Sequence, residues 1–380
     1  MKEKVGILTF HRAYNCGSMM QAYALEQVIE KIGYDPEIID FSNKGQIELY
    51  RMLFKNNSLK NIVKNIILLP HLNQIKNNNF KYEEFIKKFM KVSENKYYNI
   101  SELDDSKYFA VVAGSDQIWN ITIQDHDDAY FLPWVKNAKK IAYAPSFGAR
   151  NPLDYAKDFK KYRQFLDDFN FLSVRENNGK NWIKEISDKE AKVVLDPTLL
   201  LSKDHYQGLI KNNVITPKKY IFYYSPHYSK EINELVKKIS IKLNLPVIAF
   251  NSKAFYTKFM KSYGFQLPNI EDPLAYLELI SKAEIVITTS FHGTIFSSIF
   301  RKKFWVVKNN GMYEKDDRVL TLINMLDLKD RIITTKYDED FNYNKDKKYD
   351  TYELKLKKQQ NESLKYLKEA LEKSNHEKSK

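Results

Sequence analysis

What most constrains this chain is its alternation of short apolar runs with amphipathic segments, separated by polar turns. Val5–Phe10 has the pattern of a brief buried strand, and the polar loop Ala13 to Ser18 follows it. Helical spacing then runs from Met19 to Ile32, with Ala22, Leu25, Val28, Ile29 and Ile32 on one face and Gly33 as a stop signal. Glu37–Phe41 reads as a second strand. Strand, loop, helix and strand in that order make the βαβ unit of a parallel sheet. The pattern predicts further strands at Tyr108–Ala113, Lys140–Ala144, Phe171–Val174 and Val193–Leu195. It resumes near Lys219, with strands at Tyr220–Tyr224, Pro246–Phe250, Glu284–Thr288 and Phe304–Val307. Helices are predicted between them at Glu231–Leu243, Pro273–Ser281 and Gly293–Phe300.

The expected fold class is therefore α/β, with two doubly wound Rossmann-like domains facing a cleft. The first domain is assigned to residues 1–204, with a lysine- and asparagine-rich helical insertion at about 43–100, expected to be partly mobile. The second is assigned to 205–325. Residues 326–380 read as a helical, lysine-rich extension whose end, Lys373–Lys380, is expected to fray. Sheets of this kind bind ligands outside the carboxyl ends of their strands.

Composition narrows the function classes. A hydrophobic fraction of 43%, with 26 Tyr and 23 Phe against 11 Gly and 11 Pro, describes a packed protein and not a disordered one. Cys16 is the single cysteine, which excludes an internal disulfide framework and a thiolate metal cluster. The run Val5–Phe10 continues into His11 and Arg12 with no small-residue cleavage site, so a strand is expected and not a signal peptide. Ile66–Pro70 is far too short to span a bilayer, and a cytoplasmic location is expected. The formal charge of +13 is diffuse and lysine-dominated. It matches no nucleic-acid-binding motif. It reads as a solvated lysine surface or as an attraction to an anionic membrane face.

Four segments at strand ends carry candidate chemistry. Thr288 to Thr294 ends a strand and opens a helix, whose N-terminal amides suit a phosphate or carboxylate. There Ser290, Gly293 and Thr294 would line an anion site and His292 would move protons, or the segment is an N-cap with a solvent-facing histidine. Arg175, in Ser173-Val174-Arg175-Glu176, can fork onto a carboxylate or phosphate, or it forms a surface salt bridge. Asn15, Gly17 and Ser18 make a second possible anion nest before the first helix, while Cys16 reads as a passive small side chain. In Gly114 to Asn120, Asp116 is a candidate base and Trp119 a candidate sugar platform, or the pair is a capping Asp over a core Trp. Asp125-His126-Asp127-Asp128 is contiguous, so its side chains diverge, and it reads as a polar loop with no metal.

The ordered set VGILTFHRAYNCGSMMQAYAL, VVAGSDQIWN, SVREN, VVLDPTLLL and ITTSFHGTIFSSIF resembles the polysaccharide pyruvyl transferase family over about residues 4–325. The resemblance implies a GT-B-like fold and transfer of the carbon unit of phosphoenolpyruvate onto a sugar as a pyruvate ketal. Phosphoenolpyruvate is then a co-substrate, and no cofactor is implied. The partners implied are a glycan or lipid-linked oligosaccharide acceptor and an anionic membrane face. His292 matches the family's catalytic histidine and Arg175 its donor-holding arginine. Many relatives have Arg-Leu where this chain has Ser290-Phe291, so Arg318 or Lys303 is a candidate replacement for the second arginine. The rival readings are a nucleotide-sugar glycosyltransferase of the same fold and a non-catalytic glycan-binding relative.

Overall fold

A computed structural model describes residues 2–308 and 317–372, so the expected fraying of Lys373–Lys380 lies outside the described residues. The first sheet contains β1 (Lys4–Leu8), β2 (Asp35–Phe41), β3 (Val92–Tyr97), β4 (Ala110–Ala113) and β5 (Lys139–Ala142). Its order is β3-β2-β1-β4-β5, and every pairing is parallel. The chain winds one way from β1 to β3 and the other way through β4 and β5. This places a switch point between β1 and β4. A short ladder of β6 (Ser173–Val174) and β7 (Lys192–Val193) lies beside β5, joined through the Ile141–Phe171 bridge.

The second sheet contains β8 (Ile221–Tyr224), β9 (Val247–Ala249), β10 (Ile285–Thr288), β11 (Lys303–Lys308) and β12 (Ile332–Thr334). Its order is β12-β11-β10-β8-β9, again all parallel, with the switch point between β8 and β10. The central strands β4, β8 and β10 are buried at every residue. That explains their unbroken apolar runs, because helices cover both faces of a parallel sheet. The molecule is thus two Rossmann-like domains in a GT-B-like arrangement. One apolar cluster runs through both, from Met19 and Leu25 to Ile295 and Phe296.

Local chemistry sets the element ends. The helix Cys16–Ile32 begins where the Asn15 side chain accepts from the Gly17 and Ser18 amides. It stops at Gly33, whose φ of 114° is left-handed and whose N–H bonds the Glu30 carbonyl.

Three expectations about organisation need correction. The insertion is not wholly helical. It holds the helices Lys44–Leu49, Leu59–Leu68 and Leu72–Phe89, but Val92–Tyr97 is the edge strand of the first sheet. Nor does the insertion hang loose. Asn78 Nδ2 donates to Glu271 Oε2 at 3.0 Å and Ser252 Oγ at 3.2 Å, both in the second domain. Asn65 closes the preceding loop by bonding the Phe54 N–H and carbonyl, each at 2.9 Å. Two of the asparagines that suggested mobility, Asn65 and Asn78, are thus buried connectors.

Nor does the second domain end at 325. β12 completes the second sheet. The helix Asp350–Glu372 then crosses between domains: Tyr352 Oη donates to Ser298 Oγ at 3.0 Å, and Tyr366 Oη to the Ala142 carbonyl at 2.9 Å. Among the described residues, no helix is long and apolar enough to cross a membrane.

Candidate active site

A cavity of about 690 Å³ lies between the domains, at both switch points. Asn15 reaches it from beyond β1, Asp116 from beyond β4, Tyr224 from the end of β8, and Ser290 and His292 from beyond β10. These are the carboxyl ends of the strands, where open α/β sheets hold ligands.

The wall is organised around Asp196, whose residue is only 1% exposed. Its Oδ1 accepts from Thr198 N at 3.0 Å and Thr198 Oγ1 at 2.6 Å. Its Oδ2 accepts from Arg175 Nη1 at 2.9 Å and Ser115 Oγ at 3.3 Å. His292 Nε2 lies 3.4 Å from the same oxygen, at ion-pair distance but outside hydrogen-bond geometry. Burial pushes the Asp196 carboxyl up, but His292 and Arg175 outweigh it and hold the group well below the usual carboxylate range. Arg175 comes from the first domain and His292 from the second, so one carboxylate joins the two.

Arg175 is no surface arginine. It is 3% exposed, its Nη2 lies 3.7 Å from Asp116 Oδ1, and its guanidinium packs 4.2 Å from the Phe291 ring centroid. His292 is 8% exposed, so neither residue is as accessible as a cleft-lining position suggests. Gly17 explains how His292 fits. A Cβ on Gly17 would fall 2.2 Å from His292 Nδ1, so only glycine lets the first helix approach the ring.

Several predicted site residues turn out to be engaged elsewhere. Ser290 caps its helix by accepting from Gly293 N at 3.2 Å, and Thr294 N bonds the Ser290 carbonyl at 3.0 Å. The Gly293 and Thr294 amides are therefore already satisfied within the helix, and neither residue borders the cavity. Likewise Asn15 closes the second predicted nest itself, accepting from Gly17 N at 3.0 Å and Ser18 N at 3.4 Å. Asn15 and Ser18 still border the cavity. Asp116 does too, held at a left-handed φ of 74° and facing Arg175.

Trp119 is not a sugar platform. It is fully buried, donates from Nε1 to the Tyr130 carbonyl at 3.1 Å and stacks on Phe131. Arg318, at the start of the helix Arg318–Met325, borders the cavity. Lys303 cannot take a donor-holding role. It begins β11, at the end of the sheet opposite the cavity, and pairs with Glu284 at 3.4 Å. In the Asp125–Asp128 loop, Asp128 pairs with Lys161 at 2.6 Å, while Asp125 borders the cavity and burial pushes its carboxyl up to about 6.

With this geometry in hand, comparison with known proteins decides the family: the sequence model of polysaccharide pyruvyl transferase matches residues 15–311. The chain belongs to the polysaccharide pyruvyl transferase family. No curated protein matches it at a significant level. Solved structures similar to this pyruvyl transferase family member include the UDP-GlcNAc 2-epimerase of Neisseria meningitidis bound to UDP-GlcNAc. It is 12% identical, covers 99% of this chain and 95% of its own, and has a TM-score of 0.45. The UDP-N-acetylglucosamine 2-epimerase of Rickettsia bellii is 13% identical over 97% of this chain and 96% of its own, with a TM-score of 0.48.

In this family member, sequence reasoning missed two site residues. Asp196 follows a strand and precedes Pro197, the same strand-end signal that singled out Asp116, and it could have been found that way. Glu271 carries no such signal. It sits in a loop before the helix Pro273–Lys282 and borders the cavity. It accepts from Ser252 N at 3.0 Å as well as from Asn78, while its Oε1 has no partner.

Burial pushes the Glu271 carboxyl up to about 7. The unfolded chain sheds this proton near pH 4 while the folded one holds it to about 7, so the stabilisation is complete in acid and is lost as pH rises through that window. Glu271→Gln keeps a neutral group. Its melting temperature relative to wild type is expected to be higher at pH 8 than at pH 5. An unchanged difference across that range would show that Glu271 is ionised throughout.

Proposed function

We propose that the chain transfers the pyruvyl unit of phosphoenolpyruvate to two hydroxyls of a sugar, in a cell-surface polysaccharide or its lipid-linked precursor, forming a pyruvate ketal. The observation that carries this reading is the meeting of Arg175 and His292, from different domains and both lining the interdomain cavity, on the Asp196 carboxylate buried behind them. The family assignment supplies the reaction class. A cavity of about 690 Å³ has room for a small donor and a sugar together.

In this scheme Arg175 and Arg318 hold the donor's charges, with the first-turn amides of Phe291 and His292 as further donors. His292 delivers a proton to the methylene carbon, and a sugar hydroxyl bonds to the adjacent carbon. The C–O bond to phosphate then breaks, and phosphate leaves with the electron pair. A second hydroxyl of the same sugar attacks that carbon and closes the ring. The two hydroxyls release two protons. One replaces the proton that His292 gave to carbon, and the other departs with phosphate. Asp196 orients the imidazole through these steps, and Asp116 holds Arg175 from its other side.

Ligand-dependent melting tests the donor. Phosphoenolpyruvate is expected to raise the melting temperature, because a ligand that binds only the folded state stabilises it. UDP- and GDP-sugars should do less. Stabilisation by a nucleotide sugar without any by phosphoenolpyruvate would replace this reading with a glycosyltransferase one. Mass analysis of products with a glycan acceptor then identifies the bond formed.

A further inference from the structure

The helix Leu59–Leu68 and the turn after it are built inside out. Leu59 is 82% exposed, Ile62 40%, Val63 55%, Ile66 60% and Leu69 54%. Their spacing puts all five on one helical face. The opposite side of the helix, through Asn65 and Leu68, is the one that packs on the protein. Exposed apolar residues scattered singly need no explanation, but a continuous stripe marks a surface that another phase or molecule covers.

Charge identifies the occupant. Residues 43–91 hold ten Lys and Arg against three Glu, which is more than half of the chain's net charge of +13 in about an eighth of its length. Lys60 borders the stripe on the helix itself, and Lys55 precedes it. Pairing this face with a second copy would press two strongly basic rims together, which like-charge repulsion disfavours. An apolar stripe edged with lysines is instead the pattern of a helix lying in the interface of an anionic bilayer.

We propose that the stripe Leu59–Leu69 seats this protein on an anionic lipid surface. The C-terminal helix, also lysine-rich, is a poorer candidate, because Tyr352, Leu356, Tyr366, Leu367 and Leu371 are all spent in the core. The seating also orients the cavity. Lys64 borders it from this same helix, on the side turned away from the stripe, and Phe54 from the loop before it, so the seated helix lies at the cavity rim. On the donor reading above, a lipid-tethered acceptor enters there. The seating itself does not depend on that reading.

The test is sedimentation with vesicles of phosphatidylcholine and phosphatidylglycerol (3:1) and with phosphatidylcholine alone. Wild type is expected to bind the anionic vesicles preferentially. Val63→Asp with Ile66→Asp, both at exposed positions, should weaken that binding by about tenfold or more at an unchanged melting temperature. Leu59→Trp should show blue-shifted emission on binding, which surface attraction by lysines alone would not produce. Undiminished binding by the double variant, or an unshifted Leu59→Trp spectrum in the bound state, overturns the proposal. A wild-type dimer that the double variant abolishes, with no vesicle binding by either, assigns the stripe to a second copy instead. Phosphoenolpyruvate stabilisation of wild type, measured separately, reports on the donor reading whatever the vesicles show.

Discussion

His292→Ala is expected to lower kcat by about 10²–10⁴-fold, the range over which a positioned proton carrier contributes. The residue stands at the cavity wall, with its ring fixed between Gly17 and Asp196. Because it is only 8% exposed, its removal also costs some stability, on the order of 1–3 kcal/mol. Steady-state kinetics below the melting transition separates the two effects. Gly17→Ala provides a second route to the same result. A methyl group there collides with the imidazole, so activity should fall although no reacting group has been removed. Full activity in His292→Ala would take the proton-transfer role away from this residue.

The second large effect concerns the charge that holds Arg175. Asp196→Ala is expected to destabilise the fold by about 3–5 kcal/mol, because it leaves the Arg175 guanidinium buried with the more distant Asp116 as its remaining ion-pair partner among the described residues. Arg175→Lys keeps the charge but loses the fork that spans Asp196 and Asp116. A solvent-exposed arginine would tolerate that change with weaker donor binding alone. At 3% exposure it should cost stability as well.

Acid tests the same group. The folded-state pKa of Asp196 is depressed, so its contribution is present above the unfolded carboxylate pKa and is lost as pH falls through the folded one. Urea unfolding of wild type and Asp196→Ala at neutral and acidic pH should therefore show a gap that narrows in acid. A gap that does not change with pH would show that the pair carries no net electrostatic stabilisation.

The alternation of buried strand and amphipathic helix was legible in the chain because period and capping are local properties. Each of the ten strands in the two main sheets, except β3 and β12, overlaps a run read from sequence, with ends that differ by one or two residues in places. β3 was lost because Val92–Tyr97 is an edge strand with three exposed residues and a polar sequence, so it offers no apolar run. β12 is a three-residue edge strand with none of its residues fully buried. The placement of His292 and Arg175 at strand ends was legible for the same local reason.

What those residues touch was not legible. A hydrogen-bond donor at a helix start looks the same in sequence whether it faces a ligand or its own cap. Only the folded chain shows that Ser290 and Asn15 consume the amides that the sequence left open. Trp119 carries the same signal as a sugar platform or as core, and packing against Phe131 decided the matter. The sequence by itself determined two parallel α/β domains and the strand ends at which chemistry can sit. Tertiary structure alone decided that Asp196 joins Arg175 to His292 across the domains. Sequence separations of 21 residues to Arg175 and 96 to His292 carry no information about a contact that depends on how two sheets face each other.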